Sequence, residues 1–361
     1  MIKNRFRKRL PIVAGTLLGS VGLSAHAQSN VTLYGVVDSG ILYTSKTLNP
    51  TTGQNAGHQF SLLTGGLTPS LFGLKGNEDL GGGMKAIFAL ESGIDMTNGG
   101  LNDSNGNLFG RQAWVGIDSR FGTVKGGVQL SPFVLSLIAS DPRGASYFGS
   151  GVPIYTGAVF VTGAFNSNSI SYTSPRIAGF QGSALLALGG IAGNFQAGRQ
   201  YSASVDYTYG PLLITASMYD GNAGGTAATT PIPSTVAFTG RTIGASYQYD
   251  ALTVKAVFIN LKVAGSFDNR VYGGGLSYRF TPVTTVDAGV WYTSDGNDTN
   301  NHSILAATGL TYSLSKATLL YGQFGYVDNH GKMDTGLSTN GALFGVAGTT
   351  FATAVGIRHL F

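Results

Sequence analysis

No cysteine occurs among the 361 residues, which excludes a disulfide framework and thiolate-ligated metal centres alike. Charge is scarce as well, at 11% of residues against about 25% in an ordinary soluble domain. Beyond residue 27, no run reaches the roughly 18 uninterrupted apolar residues of a membrane-crossing helix, so helical spanning is excluded. Histidine is sparse, with His58, His302, His330 and His359 beyond the leader, and no HxH, HExxH or CxxC spacing is found. No metal and no cofactor is therefore expected. Nor is an enzyme expected: His302-Ser303 is the one adjacent pair of interest, and neighbours on a strand point to opposite faces.

Net charge is missing too, once the leader is set aside. Residues 1–27 read as a cleaved secretory signal: a basic start with Lys3, Arg5, Arg7, Lys8 and Arg9, an apolar stretch from Leu10 to Leu23, and small residues ending at Ala27. The leader holds five of the 22 Lys plus Arg and none of the 17 Asp plus Glu, so residues 28–361 are formally neutral. A neutral chain lacks the basic face that a nucleic-acid partner requires.

What is present is glycine, 55 residues, and a repeating alternation of apolar with polar or small side chains. In VTLYGVVDSGILY, Val31, Leu33, Val37, Ile41 and Tyr43 share one parity, and Thr32, Tyr34, Val36 and Asp38 the other. Similar segments start near Leu71, Met84, Phe109, Thr123, Asn168, Gly179, Tyr201, Leu212, Arg241, Leu252, Val271, Thr284, His302, Ala317 and Thr349, which makes sixteen strands. Tight connections at Gly210-Pro211, Asp250, Thr281 to Val283 and Ser315-Lys316 alternate with long ones at 44–70, 96–108, 131–167, 222–240 and 329–348. Short turns on one rim and long loops on the other predict an all-β fold, a transmembrane antiparallel β-barrel with periplasmic turns and extracellular loops.

Closure follows from hydrogen bonding, because an open sheet edge in hydrocarbon leaves backbone groups unpaired at several kcal/mol each. Aromatic girdles are expected from Tyr207, Tyr249, Phe280, Tyr312 and Phe361 at the turn rim and Tyr43, Tyr219 and Tyr292 at the loop rim. Basic side chains facing lipid at mid-depth would cost about 2 to 4 kcal/mol each, so charged residues should face the lumen. Lys85 and Glu91 oppose Ala86, Phe88 and Leu90 in parity, and Asp206, Lys255, Arg279, Asp287 and Arg358 fall on similar polar faces.

Several motifs together resemble the trimeric general porins of Gram-negative bacteria, in their betaproteobacterial branch. They are VTLYGVVDSG, FGLKGNEDLGGGMKAIFALESG at 72–93, which contains Lys75, FGRQAWVGIDSRFGTVKGG at 109–127, SYTSP at 171–175, and the ending VGIRHLF. The resemblance spans nearly all of residues 28–361. It implies an outer-membrane location, a homotrimer in contact with membrane lipid and lipopolysaccharide, and passive diffusion of small hydrophilic solutes. It also implies that Phe361 is a terminal signal for the outer-membrane assembly machinery. The loop at 131–167 is expected to fold into the barrel and narrow it, with charges there setting selectivity.

The sequence departs from that pattern where selectivity is concerned. Of the basic ladder that the resemblance implies, Arg111 is retained, whereas Leu71, Phe165, Val128 and Val36 stand at positions where relatives carry Arg or Lys. The loop offers Asp141 and Arg143 among Phe133, Tyr147, Phe148, Tyr155 and Phe160. A constriction with a weak transverse field and an aromatic lining is expected. Arg111 is expected to act in the constriction, or else to pair with Asp38 or Glu91 and stiffen the wall. A substrate-specific channel for a sugar-like or aromatic nutrient is the alternative to a general one, and a plugged scaffold barrel a third class.

Overall fold

The computed structural model describes residues 30–160, 162–225 and 237–361, so the signal segment and its cleavage after Ala27 lie outside the described residues. The elements are β1 (Asn30–Thr44), β2 (Gln59–Thr64), β3 (Leu71–Gly81), β4 (Met84–Gly93), β5 (Gln112–Ser119), β6 (Gly122–Leu130), α1 (Pro132–Ser140) and α2 (Gly151–Val159). They continue as β7 (Phe165–Thr173), β8 (Phe180–Ala187), β9 (Gln200–Tyr209), β10 (Leu212–Gly221), β11 (Phe238–Tyr249), β12 (Leu252–Val263) and β13 (Phe267–Thr281). The last are β14 (Thr284–Asp295), β15 (His302–Ser313), β16 (Thr318–His330), β17 (Thr335–Ser338), β18 (Ala342–Phe344) and β19 (Gly348–Leu360).

Among the described residues, seventeen strands form one antiparallel sheet that closes on itself, because β19 pairs with β1 from Val36↔Leu360 to Thr44↔Ala352. β2 and β3 share one wall position: β2 pairs with the upper half of β1 (Ser39 to Thr44), and β3 with its lower half (Asn30 to Val36). The ring therefore has sixteen wall positions, as the alternation predicts. The expected loop at 44–70 is corrected, since it contains half a wall strand. Between the halves, residues 65–70 leave the wall and turn into the lumen, where Asp38 holds them.

Two other connections differ from expectation. The segment at 329–348 contains the β17–β18 hairpin. The segment at 131–167 contains two helices and ends at 164, because Phe165 already pairs with Leu130 and Asn166 with Gln129. Asn168 sits at φ +53 beside a register shift between Gly127 and Gln129, which breaks the alternation and hides the first turn of β7 from a period-2 reading.

The faces obey the parity rule. Val31, Leu33 and Ile41 are exposed on the outside, while Asp38 is buried inside. Tyr249, Phe280, Tyr312 and Phe361 are exposed at the turn rim and Tyr292 at the loop rim, as girdle residues should be. Tyr219 is a correction: it faces inward, fully buried, with its ring centroid 6.2 Å from that of Phe133 and 5.4 Å from that of Phe238.

The seam is closed by Phe361 itself. Gly35 N–H donates to the Phe361 carbonyl at 2.9 Å, and Phe361 N–H returns a bond to the Gly35 carbonyl at 3.1 Å. A Cβ at Gly35 would lie 2.2 Å from the Phe361 ring and 2.8 Å from the Leu71 carbonyl oxygen. Gly35→Ala is thus expected to cost about 1 to 3 kcal/mol of overpacking strain at the seam. Heat-modifiability on a denaturing gel checks it: the folded band of the variant should convert to the unfolded one at a lower temperature.

Candidate functional site: the passage beside the in-folded loop

The in-folded segment starts with a well-capped helix. Ser131 accepts from Val134 N–H at the N-cap, Pro132 opens the first turn, and α1 stops at Asp141. Its Phe133, Ser136, Leu137 and Ser140 face the wall. Phe133 N–H donates to Ser202 Oγ at 3.0 Å, Thr215 Oγ1 donates to Ser136 Oγ at 2.9 Å, and Lys255 Nζ donates to the Ala139 carbonyl at 3.0 Å. Two wall glycines let the helix approach: a Cβ at Gly240 would sit 2.6 Å from the Phe133 ring, and one at Gly244 2.2 Å from Ser140 Cβ. α1 therefore lies along β9 to β12, and its opposite face looks into the lumen.

Beyond the helix the chain is knitted by its own charges. The Asp141 carboxylate accepts backbone N–H bonds from Arg143 (2.9 Å), Ala145 (2.9 Å) and Gly151 (2.8 Å). Arg143 reaches the far wall, where its Nε pairs with Asp287 and its Nη2 donates to Gln323 Oε1 at 3.0 Å. Its Nη1 donates to the carbonyls of Phe148 (2.8 Å) and Gly149 (3.0 Å). Burial raises the Asp141 carboxyl above the ordinary range, opposed by those three N–H donors. Both loop charges are therefore internal staples, and neither presents itself to a passing solute.

Asp38 has the same character. Its carboxylate accepts from the N–H groups of Gly66 (3.0 Å), Leu67 (2.9 Å) and Thr68 (2.9 Å) and from the Tyr321 hydroxyl (2.8 Å). The turn so formed receives the loop, since Tyr147 N–H donates to the Leu67 carbonyl at 3.1 Å and Ser146 Oγ to the Gly66 carbonyl at 3.3 Å. Asp38 faces the barrel interior but is sealed from its water.

What remains open is the space between this loop and the wall built by β3 to β7. A cavity of about 240 Å³ is bordered there by Pro69, Arg111, Ile138, Ala145, Tyr147 and Phe165, among others. Arg111 donates from Nε to Glu91 Oε1 at 2.9 Å, and its guanidinium carbon lies 5.0 Å from the centroid of the Phe165 ring. Glu91 also accepts from the Tyr34 hydroxyl (2.9 Å) and from Gln112 (3.2 Å). Asp103, on the loop above, has its carboxyl raised by burial, against the lowering charge of Arg111 and hydrogen bonds to Tyr147 and Asn340. Burial followed by the nearby Asp103 charge raises the Tyr147 phenol, so it remains a neutral hydroxyl.

The other residues singled out by sequence are dispersed. Leu71 is buried at the start of β3. Lys85 is exposed near the turn rim, across the ladder from Asp79 and Asp118, six residues along β4 from Glu91. Val128 pairs with Ala113 on the outward parity, so the lumen position is held by Gln129, which donates to Ser169 Oγ at 3.1 Å. Of the aromatic residues of the loop, Phe133 and Phe148 are buried beneath it, whereas Tyr147 and Tyr155 border the cavity together with Phe165; on the helix, Leu135 and Ile138 are exposed on the passage side. Lys75 and Lys125 complete the wall, with Nζ 4.9 Å from the Tyr34 ring centroid and 4.6 Å from that of Trp114. The parity of Lys125 and Trp114 could have placed both in the lumen from sequence, whereas the lean of each lysine over a ring is a side-chain matter that parity does not contain.

This geometry meets a clear family signal. A model described as Gram-negative porin matches residues 14–332. The chain belongs to the Gram-negative porins. It is 30% identical to outer membrane porin protein 32 of Delftia acidovorans over 97% of this chain and 99% of the relative. An outer membrane porin protein of Bordetella pertussis is 26% identical, again over 97% and 99%. Among solved structures, an anion-selective porin from Comamonas acidovorans superposes with a TM-score of 0.77 at 27% identity, covering 92% of this chain and all of that one. OmpT of Vibrio cholerae, in a trimer form, shares the fold at TM-score 0.68 and 17% identity. The protein is thus an outer-membrane channel of a Gram-negative bacterium, and its lumen is the conduit.

Proposed function

We propose that this porin is a general diffusion channel for small hydrophilic solutes and ions, assembled as a homotrimer in the lipopolysaccharide-containing outer membrane. Residues 1–27 act as its cleaved export signal, and Phe361 as the signal read by the assembly machinery. One observation carries the reading of low specificity: the charges of the in-folded loop and of the wall directly beside it are spent on neighbours, which leaves Lys75 and Lys125 farther along the wall as the unmatched ones. Arg111 is neutralised by Glu91, and Asp141, Arg143 and Asp38 by the fold itself. A size-limited aperture with little transverse field sieves by dimension.

Liposome swelling tests this. Neutral sugars should enter at rates that fall with size and rise linearly with concentration, whereas saturation by one sugar would support a substrate-specific channel and the absence of swelling a plugged barrel.

Arg111→Ala leaves Glu91 uncompensated beside the aperture. One unit charge about 7 Å from the ion path in water is worth roughly 0.6 kcal/mol, or about a threefold change in the anion-to-cation permeability ratio. The reversal potential in a KCl gradient should shift toward the cation side, and Arg111→Ala combined with Glu91→Gln should return toward the parent value.

A further inference from the structure

Two residues of the loop helix are at odds with an aqueous lumen. Leu135 is 48% exposed and Ile138 39% exposed, three residues apart on the α1 face turned away from the wall. No charged residue stands anywhere in α1, so this face offers an apolar lip alone. Ile138 borders the cavity that also contains Arg111 and Phe165.

Lys75 on β3 and Lys125 on β6 face the same lumen from wall strands other than β9 to β12, along which α1 lies. Each ammonium lies over an aromatic ring, Tyr34 and Trp114 respectively, and neither has a carboxylate in salt-bridge range among the described residues. A ring face attracts a cation through its quadrupole without cancelling the charge. These two lysines therefore differ from Arg111 and Arg143, whose charges are matched by carboxylates. The rings are themselves fixed: the Tyr34 hydroxyl donates to Glu91 and Trp114 Nε1 to Gln112 Oε1, both at 2.9 Å. Lys75 is level with Trp114 through Ala89, and Lys125 lies level with Gly116, two residues nearer the turn rim, or about 7 Å.

We propose that the passage holds a weak station for small monocarboxylates with an apolar body, arenecarboxylates above all. The body lies along Leu135 and Ile138 while the carboxylate turns toward Lys75 and Lys125. A sugar uses neither surface, chloride only the lysines, and an aryl alcohol only the lip. The proposal rests on the channel reading and adds a solute preference to it.

The test uses the full-length protein in planar bilayers carrying a KCl current, with benzoate, acetate and benzyl alcohol added in turn. Benzoate should interrupt the current at about tenfold lower concentration than acetate, the factor that follows from withdrawing roughly 55 Å² of apolar surface from water at about 25 cal/mol per Å². In Leu135→Asn combined with Ile138→Asn, the benzoate-to-acetate ratio should fall toward one. In Lys75→Gln combined with Lys125→Gln, benzoate should lose its advantage over benzyl alcohol. Equal interruption by benzoate and acetate in the parent channel overturns the station, as does a ratio that survives the helix substitutions. The parent comparison decides alone if a variant does not assemble. Absence of any KCl current would instead remove the channel reading beneath it.

Discussion

Arg143→Ala is expected to unseat the in-folded loop and turn a quiet channel into a wider, flickering one. Arg143 is the bolt between loop and far wall: its guanidinium is buried, it pairs with Asp287, and it donates to Gln323 and to the carbonyls of Phe148 and Gly149. Alanine removes all of these together and leaves the Asp287 carboxylate, itself largely buried, without its cation. Removing one partner of a buried pair typically costs about 3 to 5 kcal/mol, most of it the penalty of the abandoned charge. That penalty falls on the loop before the barrel, because the wall strands keep their ladders whether or not the loop is seated. Single-channel recording should show higher mean conductance with frequent transitions. Arg143→Met combined with Asp287→Asn should recover part of the steady state, since it removes both charges and leaves neither stranded. A steady, unchanged conductance in Arg143→Ala would show that the bolt is unnecessary.

The second large effect is expected at Asp38. Alanine there deprives three backbone N–H groups, those of Gly66, Leu67 and Thr68, of their acceptor, and the Tyr321 hydroxyl of its own. Each buried donor left unsatisfied costs about 1 to 3 kcal/mol, so the turn at 65–70 should come away from the wall. Its release would carry the loop with it, because the Gly66 and Leu67 carbonyls receive Ser146 and Tyr147. Asp38→Ala should lower the temperature of barrel unfolding on denaturing gels and admit sugars that the parent excludes. Asp38→Asn keeps one carbonyl oxygen as acceptor and should fall between the two. A permeability cut-off unchanged in Asp38→Ala would separate the turn from the loop.

These two expectations concern residues that sequence alone marks as lumen or constriction charges. Asp38, Asp141 and Arg143 share the inward side or the loop, as parity and position predict, yet none faces the solute. The difference is one of partners: a charge in a narrow interior either meets water or is answered by nearby donors, and those donors come from residues far along the chain. Arg143 and Gln323 are separated by 180 positions, and Tyr321 and Asp38 by 283. Arg111 stands between these cases. Its pairing with Glu91 is foreseeable as one of two readings, because FGRQAWVG and FALESG lie on adjacent strands, but the Phe165 ring beneath it is not.

The barrel itself was legible because its constraints are local and repeated. Alternation of period 2 in strand after strand, tight turns alternating with long loops, and the cost of an open edge in hydrocarbon leave only a closed ring, and inward charge follows from the cost of outward charge. Where the period breaks, at the Gly127–Gln129 register shift or between β2 and β3, the sequence reading loses the strand boundary. The loop between β6 and β7 has no such repeat, so only tertiary structure decided which face of α1 meets the wall and which meets the passage. Gly240 and Gly244 on a distant strand admit Phe133 and Ser140, and that approach turns Leu135 and Ile138 toward the water. Chain chemistry alone thus set the shape of the conduit, while long-range packing set which of its charges remain available to the solutes inside it.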